Sequence, residues 1–316
     1  MAISANTAVT FALVGNREDL VDQIYNISPV DLPFQANIGK VKATAVLHEW
    51  QSDTLAAAAA NAQLEGDDKV LSSGISAGSS TTRLQNRCQI SDKSVQVSGT
   101  ADAINKAGRK KEIVYQLMKR GKELRRDMEF VLTNNQTPAT GSSTSARALR
   151  PLVGWYSTNR AAGSTSVAGG TASAATDSTS LRPLTESLVK STIQSIWTNG
   201  GDADLIMSGP FNKTVISGFN GNTTRMQNTE DGKLNTAISV YVSDFGTHKV
   251  VANRFSRERD LHILTTDLWA VASLRPMQTI DLAKTGDAER GLILAEYTLE
   301  CRQETGSGTV PDLTTS

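Results

Sequence analysis

The spacing of apolar residues predicts one long amphipathic helix near the middle of the chain, over residues 109–132. Six residues recur every three or four positions and therefore share one helix face. They are Val114, Leu117, Gly121, Leu124, Met128 and Val131. The other faces are charged, with about twice as many basic as acidic residues. At a rise of about 1.5 Å per residue the helix would be roughly 36 Å long, so we expect it to brace an extended molecule or to pack against other subunits.

Alternating apolar and polar residues predict two strands before this helix, over residues 41–50 and 83–98. The segment between them, residues 51–82, is rich in Ala, Ser, Gly and acidic residues. It has too little apolar area to offset its own ordering entropy. Two interpretations fit this segment: a floppy surface loop, or a loop that docks on a neighbouring copy of the chain.

The C-terminal half alternates helices and strands. The predicted helices span residues 184–199 and 209–218, and the predicted strands span residues 204–208, 240–243, 248–253, 262–265, 269–274 and 292–302. Thr185 is the expected N-cap of the first of these helices. The residues from Glu304 onward are polar, and we expect a partly ordered tail.

Two segments lack a strong pattern. Residues 1–40 contain few apolar residues and are interpreted as an arm that lies along another surface, with a short strand at 7–13 and a helical turn or two at 17–25. Residues 134–182 are dominated by Ser, Thr, Gly and Ala, which is typical of surface loops. Only the apolar residues within 150–159 should be anchored there.

The composition narrows the class of protein. Lys plus Arg and Asp plus Glu both number 32, which argues against a free-standing nucleic-acid binder with its excess of cations. Cys88 and Cys301 are the only cysteines, and we expect two free thiols that pack as small buried hydrophobes. No signal peptide and no apolar run of membrane-spanning length is present, so no membrane partner is expected.

Residues that could carry chemistry are few. The histidines are His48, His248 and His262, and none has a metal-ligand spacing. We expect His48 on a strand surface, and His262 either outward on a strand or buried with its hydrogen bonds satisfied. No phosphate-binding loop, glycine-framed serine or activated cysteine is present. The sequence therefore predicts neither an enzymatic activity nor a cofactor.

Three stretches resemble a known family. They read VSGTADAINKAGRKKEI leading into ELRRDMEFVL, then VYVSDFGTHKVVANR, and LRPMQTIDLAKTGDAERGLILAEYTLECR. Together with the order of elements, they resemble the major capsid proteins of tailed double-stranded DNA bacteriophages over residues 35–316. The resemblance implies an α+β fold of the Hong Kong 97-like type. It also implies self-assembly into pentamers and hexamers of an icosahedral shell that encloses double-stranded DNA.

The resemblance further implies a division of the chain into the parts of that fold. These are an N-terminal arm (1–40), an extended β-hairpin loop (41–89), a peripheral domain (90–154) with its spine helix (107–133), a central α/β axial domain (155–267), and a return to the peripheral domain with a C-terminal tail (268–316). The arm is too short to be a cleaved scaffolding segment. We therefore expect no extensive processing, and assembly guided by a separate scaffolding protein or by none.

Two groups of residues are candidates for assembly contacts. The inter-subunit candidates are Trp50, Leu55, Leu64, Val70, Leu71, Ile75 and Arg83. The basic candidates for the inner face or for pairing across subunits are Arg17, Lys110 and Arg126.

The expected partners are other copies of the chain, packaged DNA through non-specific contacts, portal and scaffolding proteins and a decoration protein. The expected location is the virion capsid, after assembly in the host cytoplasm. The alternative is a β-rich fibre, adhesion or surface-layer protein, which the long charged helix and the missing secretion signal disfavour.

Overall fold

The computed structural model describes residues 31–55, 57–58, 60, 62, 65–66, 81–104, 110–219 and 240–315. The helices of this part are α1 (Pro33–Asn37), α2 (Gly99–Ala103), α3 (Glu112–Thr133), α4 (Leu152–Trp155), α5 (Glu186–Thr198) and α6 (Pro210–Ser217). Its strands are β1 (Gly39–Lys42), β2 (Leu47–Ser52), β3 (Thr82–Arg87), β4 (Gln89–Ser98), β5 (Leu205–Ser208), β6 (Val240–Ser243), β7 (Gly246–Ala252), β8 (Leu261–Leu264), β9 (Trp269–Asp281), β10 (Ala288–Cys301) and β11 (Gly308–Val310). The predicted arm strand at 7–13 and helix at 17–25 lie outside the described residues.

A four-stranded sheet with the order β1–β9–β10–β4 forms the base of one half of the molecule. β9 and β10 make a long antiparallel hairpin, and β1 adds to β9 in parallel. The predicted strands 269–274 and 292–302 are confirmed as parts of this hairpin, which is longer than the pattern indicated. Helix α3 packs across β4 and β10, and the core between them contains Leu124, Leu132, Tyr297 and Leu299.

The long central helix is confirmed, since α3 begins three residues after the predicted start and ends one residue after the predicted end. Its buried face differs from the prediction in two places. Val114 is 49% exposed. Glu129 is fully buried, although its charge predicted a solvated position.

Both strands that were predicted before α3 are each split in two. The chain leaves β9 after Lys42 and then forms β2, which pairs with β3 instead. Residues 83–98 divide at Cys88, whose backbone N–H donates to the Val46 carbonyl oxygen at 2.8 Å. The Cys88 side chain is buried against Ala43 and Ala272. The break separates the hairpin β2–β3 from the sheet that supports it.

A five-stranded sheet with the order β11–β8–β5–β7–β6 forms the other half. The predicted helices and strands between residues 184 and 265 are confirmed within a few residues. The Thr185 hydroxyl accepts a hydrogen bond from the backbone N–H of Leu188 (3.4 Å), as expected of an N-cap. One face of the sheet packs against α5 and α6. The other face adds Leu205, Met207 and Leu264 to the core beneath α3.

The C-terminal tail, which the sequence predicted to be polar and partly ordered, is instead buried. β11 pairs antiparallel with β8 and completes the five-stranded sheet. Asp312 has a positive φ of 64°, and its carboxylate accepts hydrogen bonds from the backbone N–H groups of Gly163 (2.8 Å) and Ser178 (2.7 Å). The polar residues of the tail therefore satisfy buried groups that are distant in sequence.

Candidate assembly interface

The base of the hairpin β2–β3 is hydrogen-bonded to β10 of the same chain. We call this base, which includes Trp50 and Asn86, the hairpin foot. The two strands pair antiparallel over their full length. The Trp50 indole N–H donates to the Cys301 carbonyl oxygen at 2.7 Å, and the ring lies 5.5 Å from that of Trp155. The Asn86 amide donates to the Leu299 carbonyl oxygen at 2.7 Å. These contacts fix the orientation of the hairpin relative to β10.

The prediction that His48 is a surface residue is wrong. Its side chain is only 14% exposed, and Nε2 lies 2.9 Å from a carboxylate oxygen of Glu300. Four residues further along the strand, the Ser52 hydroxyl donates to Gln303 Oε1 at 2.8 Å. The face of β2 that was expected to meet solvent therefore contacts β10 and the segment after it.

The residues that directly follow β2 are exposed to solvent. Asp53 and Thr54 are exposed, and the Leu55 side chain is 99% exposed. Arg83, on the opposite strand, is exposed and forms an ion pair with Glu49 across the hairpin. A leucine in this position gains about 1.5–3 kcal/mol if another surface buries it.

The other sequence candidates fall into three groups. Leu64, Val70, Leu71, Ile75 and Arg17 lie outside the described residues, so their roles stay predictions. Lys110 is exposed. Trp50 and Arg126 make contacts within their own chain: Trp50 in the hairpin foot, and Arg126 through its guanidinium, 5.7 Å from the centre of the Phe255 ring.

The sequence predicted a mostly basic helix, but it did not single out which basic residues form an exposed face of α3. At about 100° per residue, five exposed residues lie within a sector of roughly 80°. This basic spine face consists of Lys111, Val114, Met118, Lys122 and Arg125. Two acidic residues of the helix are paired elsewhere, Glu123 with Arg120 and Asp127 with Lys93, each at 2.6 Å. Because Val114 was assigned to the buried stripe, the periodicity hid this face.

A second surface lies at the edge of the five-stranded sheet. The exposed apolar residues of this axial patch are Trp197, Val240, Val242 and Phe245. The rings of Trp197 and Phe245 lie 5.3 Å apart, and Val240 and Val242 are on the edge strand β6. Trp197, on α5, is 55% exposed. Exposed aromatic rings in contact, such as those of Trp197 and Phe245, are typical of interaction surfaces.

The buried titratable groups are structural in character. Burial raises the pKa of the Cys88 thiol to about 11 and raises that of Cys301 still further, so both thiols are protonated at neutral pH and are poor nucleophiles. His262 stacks on Tyr156 with ring centres 5.7 Å apart, and burial lowers its pKa to about 3. Neither ring nitrogen has a hydrogen-bond partner among the described residues, so both expectations for His262 are wrong.

Metal-binding clusters and membrane-spanning helices are absent from the part of the chain that the structure describes. Within it, no cluster of His, Cys, Asp and Glu side chains has the arrangement that a metal ion needs. A groove of about 470 Å³ lies between β4 and the first turns of α3, lined by residues such as Val95, Gln116 and Arg120. None of the described helices has the length and apolar character to cross a membrane.

Known capsid proteins are similar to this chain over nearly its whole length. The chain is 26% identical to the major capsid protein of Escherichia phage Phieco32 over 346 aligned residues, covering 95% of each chain. Its fold is similar to that of a capsid chain of a native GTA particle, with a TM-score of 0.64 at 7% identity over 98% of this chain and 100% of that one. It is also similar to a capsid chain of cyanophage A-1(L), with a TM-score of 0.62 at 12% identity over 97% and 99% of the two chains.

These similarities confirm the predicted α+β, Hong Kong 97-like fold, and nothing in them supports a fibre or adhesion protein. The family model described as SU10 major capsid protein matches residues 4–314, nearly the whole chain. The chain belongs to the SU10 major capsid protein family.

Proposed function

We propose that copies of this capsid protein close into an icosahedral shell of pentamers and hexamers around double-stranded DNA, and that the segment between β2 and β3 docks on a neighbouring copy. The observation that supports docking is the difference between the two ends of the hairpin β2–β3. Its foot is hydrogen-bonded to β10, whereas Leu55, three residues beyond β2, is 99% exposed. The Leu55 side chain therefore gains stability if a neighbouring copy buries it.

The two further exposed surfaces fit the same proposal. Obligate subunit interfaces bury about 2,000 Å² or more in total, which one loop alone does not supply. The axial patch and the basic spine face lie on different halves of the molecule, so each can meet a different neighbour. Closed symmetry repeats every such contact, and the shell is therefore stable even where a single contact is weak.

The partners follow from what a closed shell requires. DNA must enter a closed shell, so we infer a portal protein at one vertex, and a scaffolding protein or the subunit itself sets the size. A decoration protein on the outer surface and assembly in the host cytoplasm belong to the same proposal. Mass spectrometry of purified particles identifies which of these proteins accompany the subunit.

Electron microscopy of the recombinant protein tests the docking loop. The test variant replaces Leu55, Leu64, Val70, Leu71 and Ile75 with serine, which keeps the length of the segment and removes its apolar area. We expect the variant subunit to stay soluble and to form few or no closed shells. The hairpin foot is unchanged in this variant, so the subunit fold should be preserved by circular dichroism.

A control in the same segment separates docking from mere disturbance. Replacing Ser72, Ser73, Ser76, Ser79 and Ser80 with alanine also changes five positions and leaves the apolar residues in place. This control should assemble like the wild type. Normal shells from the serine-substituted variant would show that the loop does not dock through its apolar residues.

A further inference from the structure

A buried carboxylate joins three parts of the subunit. Glu129, in the last turns of α3, is fully buried. Its Oε1 accepts hydrogen bonds from the Phe34 backbone N–H and the Asn253 side-chain amide, both at 2.8 Å. Its Oε2 accepts from the Gln35 backbone N–H (3.1 Å) and from the Gln35 side-chain amide (3.0 Å). All four donors are neutral.

The three donor residues come from different parts of the fold. Phe34 and Gln35 form the start of α1, where the described chain emerges from the N-terminal arm. Asn253 follows β7, and its backbone N–H donates to the Ser208 carbonyl oxygen at the end of β5 (2.9 Å). One carboxylate therefore holds the root of the arm, the spine helix and the five-stranded sheet together.

Further hydrogen bonds connect neighbouring segments to the C-terminal end of α3. The Thr133 hydroxyl and the Asn134 amide both donate to the Phe255 carbonyl oxygen, at 3.3 and 2.5 Å. The Gln35 amide also donates to the Arg125 carbonyl oxygen at 3.2 Å. The end of α3 is thus the meeting point of segments that are about 100 residues or more apart in sequence.

Burying the Glu129 carboxylate costs desolvation free energy. We infer from this cost that the hydrogen bonds it accepts are important. Among the described residues Glu129 has no cationic partner, and the charged residues on the surrounding segments, Arg125, Arg126 and Arg254, form no ion pair with it. Burial raises the pKa of Glu129, and the hydrogen bonds from Phe34, Gln35 and Asn253 offset only part of that effect. An apolar residue would avoid the desolvation cost, but the buried Phe34 N–H and Asn253 amide and the part-buried Gln35 N–H would lose their carboxylate acceptor.

We propose that Glu129 is a positioning residue for assembly: it sets the direction in which the N-terminal arm leaves the spine helix relative to the five-stranded sheet. This inference rests on the proposed shell assembly. An arm that leaves in the wrong direction cannot reach its place on a neighbouring copy. Glu129 acts through the orientation of the subunit's parts and need not touch another subunit itself.

The test is Glu129→Gln, which keeps the size of the side chain and places an N–H₂ group against two donors. Hydrogen exchange on the unassembled subunit should show the amides of residues 34–38 exchanging at least about tenfold faster, with the peptides of β10 unchanged. Electron microscopy should show a large loss of closed shells. Glu123→Gln is the matched control, since Glu123 lies on the same helix and pairs only with the part-exposed Arg120.

Asn253→Ala and Gln35→Ala each remove one donor and keep the carboxylate. Each should give a smaller loss of shells, and neither should add to the effect of Glu129→Gln when combined with it. They also decide the question if Glu129→Gln does not fold. Wild-type shells from Glu129→Gln, or unchanged exchange at residues 34–38, would overturn the inference. If the wild-type protein itself forms no shells, the proposed function fails, and the exchange measurement alone decides whether Glu129 holds the arm.

Discussion

Gly121 occupies the middle of α3, where glycine costs more backbone entropy than alanine. A Cβ at this position would lie 3.8 Å from Ile293 Cδ1, an ordinary van der Waals distance. Gly121→Ala should therefore stabilise the unassembled subunit by about 1 kcal/mol and raise its Tm by roughly 2 °C. Thermal unfolding followed by circular dichroism measures the shift.

Gly201→Ala is the matched opposite case. A Cβ there would lie 2.5 Å from Gly306 Cα, and backbone atoms cannot yield as a side chain can. This substitution should lower the stability by about 1–3 kcal/mol, as for an overpacked core. A rise in Tm for Gly201→Ala, or a fall for Gly121→Ala, would contradict the described packing.

Burial of single residues could be predicted from the sequence only where a regular pattern decided it. Leu124 follows the apolar stripe of its helix and is fully buried, as predicted. Glu129 and His262 are equally buried, but no spacing indicated it. Glu129 is enclosed by donors up to 124 residues away, and His262 is covered by a ring stacked from another element. Contacts between residues so far apart leave no pattern in the sequence around either residue.

Most helices and strands could be predicted, because their apolar periods depend on residues close in sequence. α5 is an example, since its apolar positions and its cap at Thr185 are both local features. The splits near Val46 and Cys88 could not be predicted. There the chain changes from one sheet to the hairpin β2–β3, and the alternation of residues continues across the change.

The basic spine face supports a prediction about DNA. Each cation that neutralises a phosphate contributes about 0.9 to the slope of log K against log salt concentration. Replacing Lys111, Lys122 and Arg125 with glutamine should weaken binding of the unassembled subunit to double-stranded DNA. The slope should fall by roughly 2–3. Fluorescence anisotropy titrations at several salt concentrations measure both quantities.

An equal charge change elsewhere is the control for this face. Lys190, Lys249 and Lys284 are exposed on α5, on β7 and beside the turn of the β9–β10 hairpin, and their replacement with glutamine removes the same net charge. The control should retain most of the DNA affinity. Similar losses in both triple variants would indicate that net charge, rather than the face of α3, governs the contact.

At the scale of the whole molecule, the two halves depend on each other. The five-stranded sheet contributes Leu205, Met207 and Leu264 to the core beneath α3. The C-terminal tail completes the five-stranded sheet, because β11 pairs with β8. The Asp312 carboxylate also accepts hydrogen bonds from backbone N–H groups about 134–149 residues away. The last residues of the chain are therefore needed before the five-stranded sheet is complete.

Removal of residues 308–316 should consequently abolish the fold, and not merely shorten a tail. Val310 and Leu313 are fully buried, and burial of such side chains is worth about 1.5–3 kcal/mol each. Their loss, together with that of Asp312, approaches the whole stability of an ordinary domain, about 5–15 kcal/mol. We expect this variant to be insoluble or to lack cooperative thermal unfolding, whereas a chain without residues 315–316 should fold and assemble. Closed shells from the chain that lacks residues 308–316 would show that β11 is dispensable, and that the two halves hold together through the core beneath α3 alone.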